Sequence, residues 1–262
     1  MQALKIAATG MAAQQMRVDV TANNIANMST TGYDARRASF VDLHYQQQRA
    51  PGTLSAVTGE RLPVGVELGL GTRPAAVAME PQQGTLRATG ASLDLAIEGG
   101  GYFEITLPSG ASGYTRDGGL RLSPDGEVVN GQGFPLAAGI TVPQDARRIE
   151  ISGDGVVSAV FDEGGNNVEE IGNIQIVRFV NPAGLEALGD SIFVETVASG
   201  DPVVGVPGAE GRGTLRQGFL EDSSVDVVAE ITELIEAQRG YELNARVLSA
   251  ADEMLAAVTR VR

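Results

Sequence analysis

Proline and glycine divide this chain of 262 residues into three parts. All eleven prolines lie between Pro51 and Pro207, and glycine is nearly as confined. Gly10 and Gly32 are the only glycines in the first fifty residues, and Gly240 is the only one after Gly218. In a helix interior proline costs about 3 kcal/mol and glycine about 1 kcal/mol relative to alanine. Ends cleared of both residues, around a middle rich in both, predict two terminal helices flanking a turn-rich body.

Spacing supports the first helix. Leu4, Ala8, Met11, Gln15, Val18, Ala22 and Ile25 alternate at steps of four and three, the repeat of a heptad seam. Asn23, Asn24 and Asn27, followed by Thr30-Thr31-Gly32, are helix-stopping residues and place its end near Asn27. The second helix is expected to start after a cap at Ser223 or Ser224, with Asp226 and Glu230 complementing the positive end of its dipole. Its seam reads Val228, Ile231, Ile235, Gln238, Tyr241, Ala245, Leu248, Ala251, Leu255 and Val258 at steps of three or four. Arg260 and Arg262 close the chain at the opposite dipole end.

Neither helix can bury its own seam. A fully buried aliphatic side chain is worth about 1.5–3 kcal/mol, so seams of this length left in water forfeit a stabilisation comparable with that of a whole domain. Each helix therefore needs a partner: the other terminal helix of the same molecule, neighbouring copies, or both. The residues expected to mediate self-assembly are Leu4, Ala8, Met11, Gln15, Val18, Ala22 and Ile25 in the first helix. In the second they are Val228, Ile231, Ile235, Gln238, Tyr241, Ala245, Leu248, Leu255 and Val258.

Between the helices, Leu93–Ile97, Tyr102–Leu107, Val156–Phe161, Ile174–Val180 and Ser191–Val194 have strand length and strand patterning. Asp117-Gly118, Asp125-Gly126, Asn130-Gly131 and Asp154-Gly155 punctuate them as hairpin turns do. Strands do not alternate with helices, which disfavours a nucleotide-binding α/β sheet. The expected fold class is α+β: paired terminal helices in a coiled-coil-like domain with a central antiparallel β-rich domain. The expected divisions are 1–33 for the N-terminal helix, 34–70 for an extended connector, 71–222 for the body and 223–262 for the C-terminal helix.

Composition removes most chemistry. There is no cysteine, one histidine (His44) and one lysine (Lys5), which excludes disulfides, thiolate nucleophiles, multi-histidine metal sites and a Walker-type loop with its lysine. The formal net charge of −14 makes nucleic acid a poor partner. That charge is uneven: +2 over residues 1–50, −11 over 51–220 and −5 over 221–262. No run approaches the ~20 apolar residues of a membrane span, so direct membrane insertion is not expected, and the N-terminus lacks the pattern of a cleaved secretory signal.

Four sharper readings each meet a plainer one. Gly99-Gly100-Gly101 leads into a strand pattern instead of the helix a phosphate cradle requires, and reads as a turn. His44 with Asp42 has no nucleophile motif beside it. Asp162, Glu163, Asn166, Asn167, Glu169 and Glu170 offer oxygen ligands without the order of a calcium loop, and read as a solvated hairpin end. The helices lack the basic polar face of a membrane-lying amphipath. No catalytic residue, cofactor or metal site is expected.

Several motifs together resemble the flagellar rod and hook family. At the N-terminus these are Ala7-Ala8-Thr9-Gly10-Met11, Gln14-Gln15, the run Val18 to Asn27 and Thr30-Thr31-Gly32-Tyr33. In the body they are Leu93 to Phe103 and Tyr114-Thr115-Arg116-Asp117-Gly118. At the C-terminus they are Ala237 to Asn244 and Ala251 to Leu255. Length and the segment Phe40 to Gln46 resemble the distal-rod members, as does a rod-type insertion at about 47–63 that hook proteins lack. Three positions depart from the family pattern: Gly240 stands where alanine is usual, Asp34 where a basic residue is common, and Ser224 where asparagine is usual.

The resemblance implies a structural subunit, not an enzyme, that polymerises with itself into a rigid helical tube carrying motor torque to the hook. It implies proximal-rod and hook subunits as axial neighbours, surrounding basal-body ring proteins, and passage through the flagellar type III export apparatus with an uncleaved N-terminus into a site spanning the periplasm. The alternatives are another axial protein, proximal rod or hook, and a secreted β-domain binding module whose terminal helices pair only within one molecule.

Overall fold

The computed structural model describes residues 2–51, 64–162 and 167–260, and the chain divides into two compact units. One unit comprises Met1–Ile25, Arg36–Ala78 and Val227–Arg262; the other comprises Ala26–Ala35 and Met79–Asp226.

The first unit holds both helices. It contains α1 (Gln2–Ala26), β1 (Arg36–Asp42), β2 (Tyr45–Arg49), β3 (Val66–Gly69), β4 (Thr72–Met79) and α2 (Val227–Arg260). With 25 and 34 residues, the helices are about 37 and 51 Å long at about 1.5 Å per residue. β1 pairs with β4, and β2 with β3 in an antiparallel hairpin that aligns Tyr45 with Gly69. The expected boundary at 70/71 therefore falls between β3 and β4, because pairing with β1 holds β4 in this unit. Residues 52–63 of the expected insertion lie outside the described residues; its flanks form the β2–β3 hairpin.

The second unit is the β-body. Its strands are β5 (Leu86–Ala88), β6 (Leu95–Glu98), β7 (Tyr102–Thr106), β8 (Ser112–Thr115), β9 (Arg121–Leu122), β10 (Val128–Val129), β11 (Arg148–Ile151) and β12 (Val156–Val160). They continue with β13 (Val168–Asn173), β14 (Ile176–Arg178), β15 (Glu186–Gly189), β16 (Ile192–Val194), β17 (Val203–Gly205), β18 (Thr214–Gln217) and β19 (Phe219–Glu221). The largest sheet has six strands in the order β15-β16-β8-β7-β14-β17, each paired antiparallel with its neighbours. β11-β12-β13 form a second antiparallel sheet; β6 pairs with β18 and β5 with β19.

Period-two alternation gives the six-stranded sheet an apolar layer on each face. Phe103 and Ile176 point into a core shared with Leu95, Ile97, Val157 and Leu215. Their chain neighbours Tyr102 and Val177 join Tyr114, Phe179 and Phe193 on the other face. There Tyr114 meets Phe179 edge-on, with ring centroids 4.8 Å apart at 81°. All five strands expected from the sequence have a counterpart here: four are shortened at one or both ends, and the first starts two residues later and ends one later, as β6. Of the acidic run considered for calcium, Glu169 and Glu170 sit exposed on β13, and Glu163 and Asn166 lie outside the described residues.

Candidate assembly surface

Helices α1 and α2 pack antiparallel, and three contacts fix one register. A β-carbon on Gly10 would lie 3.0 Å from Asn244 Nδ2; one on Gly240 would lie 3.0 Å from Gln14 Cδ. Each helix thus offers a glycine notch to an amide side chain of the other. The third contact is buried. Asn24 Nδ2 donates to Glu230 Oε1 at 2.9 Å and to the Arg36 carbonyl at 2.8 Å, while its Oδ1 accepts from the Arg36 N–H at 3.0 Å. Asn24, read from the sequence as a helix stop, instead pins α1 to both α2 and β1.

This packing uses small residues. Among the described residues, the buried apolar side chains of the helical unit are Ala7, Ala13, Ala237 and Ala251. Ala237, Asn244 and Ala251 recur every seven residues and mark the face of α2 turned to α1. The large apolar residues lie elsewhere. On α2, Val228, Ile231, Ile235 and Tyr241 are 76%, 46%, 44% and 43% exposed, and Leu255 and Gln238 are exposed too. Ala245 and Leu248 are half-buried, and the Val258 side chain lies outside the described residues. On α1, Leu4, Met11, Val18 and Ile25 are half-buried, whereas Ala8, Gln15 and Ala22 are exposed. None of the described residues expected to mediate assembly is fully buried within the single chain. Gln15, Val18, Gln238, Tyr241 and Glu242 line an open groove of about 430 Å³.

The sequence reading missed a second exposed row. Leu243, Val247 and Met254 are 61%, 51% and 63% exposed, and their steps of four and seven put them on one side of α2. That spacing is a visible signal in the sequence, obscured by the longer seam beside it.

In the β-body, the segment that follows α1 and the one that precedes α2 meet Arg116 at one buried ion cluster. Arg116 Nε donates to Glu221 Oε2 at 3.0 Å and Nη2 donates to Oε1 at 3.2 Å, with both side chains under a tenth exposed. The remaining guanidinium donors reach the carbonyls of Gly99, at 3.0 Å, and Gly101, at 3.3 Å. The glycine triplet is thus a turn whose oxygens face a cation, the opposite polarity to a phosphate cradle. Its φ values of +118° at Gly99 and +143° at Gly101 suit glycine. Asp34, whose role as a departure from the family was open, is buried beside this pair. Desolvation first, and then Glu221, raise its carboxyl to about 6 against the pull of Arg116. Asp34 Oδ2 has no hydrogen-bond partner among the described residues.

Ser224 is employed differently from the expected helix cap. Its Oγ accepts the Ala35 N–H at 2.9 Å and its N–H donates to the Tyr33 carbonyl at 3.0 Å. Ser223 Oγ accepts from the Val225 N–H, and α2 begins at Val227, leaving Asp226 at the position before it. His44 and Asp42 are exposed around the β1–β2 turn. No cluster of three or more potential metal ligands occurs among the described residues.

Family models match the chain at three places. Residues 4–33 match the flagella basal body rod protein model, 96–159 the flagellar hook protein FlgE/F/G D1 domain, and 216–261 the flagellar basal body rod FlgEFG protein C-terminal model. The flagellar basal-body rod protein FlgG of Caulobacter vibrioides is 47% identical over 262 residues, covering all of both chains. The chain belongs to the FlgG family of flagellar basal-body rod proteins.

Other FlgG relatives agree. That of Agrobacterium fabrum is 45% identical over 99% of both chains, and that of Borreliella burgdorferi 43% identical over 97% of this chain and 96% of its own. Among solved structures, the Helicobacter pylori flagellar hook protein FlgE2 is similar at 16% identity and a TM-score of 0.25. That match covers 71% of this chain and 43% of the hook protein. Two of the three family matches take in α1 and α2, on which the exposed seams lie.

Proposed function

We propose that this FlgG-family chain is the structural subunit of the flagellar distal rod, polymerising through its two terminal helices and catalysing nothing. End-to-end identity of 47% to a basal-body rod protein carries the reading. The large apolar side chains left in water on α2 support it, since a heptad-spaced row exposed along a helix is the surface a neighbouring copy dries. The residues assigned to that contact are those expected from the sequence in both helices. Proximal-rod subunits below, hook subunits above and ring proteins around the rod are its further partners, and it reaches its place across the periplasm through the type III export apparatus without losing its N-terminus. The insertion at 47–63 stiffens the rod by filling space between neighbours; Val66 and Leu68 in β3, and Val64 and Leu70 flanking it, are all exposed.

Limited proteolysis tests the polymer reading. In dilute monomer the helices are cut first and the β-body persists; in assembled filaments both helices are protected. Removing residues 1–25 and 227–262 leaves a soluble body that does not polymerise. Helices equally protected in dilute monomer and filament would favour the binding-module alternative.

A further inference from the structure

Residues 32–35, which follow α1, and 221–224, which precede α2, are laced together within the β-body. Gly32 N–H donates to the Glu221 carbonyl at 2.9 Å, and Ser224 N–H to the Tyr33 carbonyl at 3.0 Å. Ala35 N–H donates to Ser224 Oγ at 2.9 Å, and the Ala35 carbonyl accepts from Glu80 N–H at 2.9 Å. Asp34 stands between the two residues bonded to Ser224, so a shift of its backbone towards water breaks both bonds.

The Asp34 side chain has a reason to make that shift. It is 5% exposed, and its Oδ2 has no hydrogen-bond partner among the described residues. Arg116 gives its bonds to Glu221 and to the Gly99 and Gly101 carbonyls, so Asp34 feels the guanidinium only at a distance. A buried carboxylate without a donor is costly, whereas the neutral acid costs much less. The other ionisable groups around it bring no relief. Glu221 repels it, and Tyr102 on β7, its hydroxyl held neutral by burial and then by the Asp34 charge, adds no cation. Asp117 turns its carboxylate to the Gly119 N–H, and Arg87 pairs with Asp222 at the exposed rim.

We infer that residues 32–35 and 221–224 form a proton-gated clasp, shut while Asp34 is neutral and opening locally, with the rest of the β-body intact, once Asp34 is ionised. Asp34 departs from the family pattern, so the gate belongs to this chain's own residue. The direction follows from the sign of the displacement. The carboxyl titrates near 6 in place and near 3.8 once released to water, so the clasp holds in acid and loosens as pH rises through about 6. From pH 5 to pH 8 the open fraction grows about tenfold. The clasp works in a single copy and does not depend on polymerisation.

Amide hydrogen exchange of the full-length monomer tests it, each rate taken relative to an unstructured amide at the same pH. Protection at Gly32, Ala35, Glu80 and Ser224 falls about tenfold between pH 5 and pH 8. Protection at Ile174 and Leu215, whose N–H groups bond to Gly155 and Gly153 in the core of the body, stays level. Asp34→Asn flattens the profile at the clasp. Ser224→Ala, which lacks the Oγ acceptor, lowers protection at Ala35 at every pH and keeps the tenfold fall. Clasp protection that is level with pH in wild type, or that falls equally in Asp34→Asn, overturns the inference. So does an equal fall at Ile174 and Leu215, since Asp34 would then act on the whole body and not on a local clasp.

Discussion

The two units of this molecule bury their apolar residues in contrasting ways. In the β-body, Leu95, Ile97, Phe103, Ile105, Ile174 and Ile176 are at most 1% exposed. In the helical unit the buried apolar side chains among the described residues are alanines, and Ile231, Leu243 and Met254 stay 46–63% exposed. Strands within one chain can supply both sides of a core, as β7 and β14 do by alternation. Two long helices can cover only one face of each other, and small residues on that face bring the backbones close without consuming the large side chains. The body therefore closes its cores within a single copy, whereas the helical unit leaves its large apolar side chains exposed.

The largest expected effect breaks the body. Arg116→Leu leaves the Glu221 carboxylate buried with Asp34 beside it and no cation, and strands the Gly99 and Gly101 carbonyls. Removing one partner of a buried pair costs about 3–5 kcal/mol. The control is Arg216→Leu, whose pair with Glu98 is 3.3 Å long and about half exposed, and which costs about 1 kcal/mol or less. Denaturant unfolding of the monomer, followed by near-UV signal from Tyr102 and Tyr114, separates the two. Equal losses would mean the cluster does not hold the body together.

A smaller effect comes from the same cluster with the opposite sign. Two carboxylates face one guanidinium, and Asp34 titrates near 6 instead of 3.8, chiefly because burial disfavours its charge. A carboxyl raised in the folded state contributes stability that is fully present below pH 3.8 and is lost as pH rises through about 6. Asp34→Asn removes the surplus charge, so the variant gains on wild type between pH 4 and 6 and keeps that advantage above. The gain is at most about 3 kcal/mol, from 1.36 kcal/mol per pH unit of displacement. Parallel Tm curves from pH 4 to 8 would show that the Asp34 charge carries no such cost.

These differences bear on what the sequence made legible. Both helices, the five strands singled out and the turn at Gly99-Gly100-Gly101 were readable because periodicity and turn chemistry are local. The face of α2 turned to α1 was not, because a search for large apolar residues selects Ile231 and Ile235 and passes over Ala237 and Asn244. Arg116 and Glu221 lie more than a hundred residues apart, and no local pattern announces their pairing. Asp34 stood out only as a departure from the family pattern, because its burial depends on segments far along the chain. Asn24 was read by its intrinsic dislike of helices, although Arg36 and Glu230 give all its polar atoms a use.

The finest test addresses the glycine notches that set the helix register. Gly240→Ala brings about 1 kcal/mol of helix propensity to α2. Against it, the new methyl would stand 3.0–3.3 Å from Gln14 Cδ, Nε2 and Cγ, and Gln14 Oε1 is already buried without a partner among the described residues. With nowhere dry and satisfied to move, Gln14 cancels the gain, and the single variant unfolds within about 0.5 kcal/mol of wild type. In a Gln14→Ala background the notch is empty, so the same substitution there stabilises the monomer by the full propensity difference, about 1 kcal/mol. The coupling between the two changes, read from a double-mutant cycle followed by helical circular dichroism, measures how tightly the notch holds its amide. Additive effects would mean that Gln14 is free to swing clear and that register rests on Asn24 and Glu230 with Gly10 and Asn244 alone.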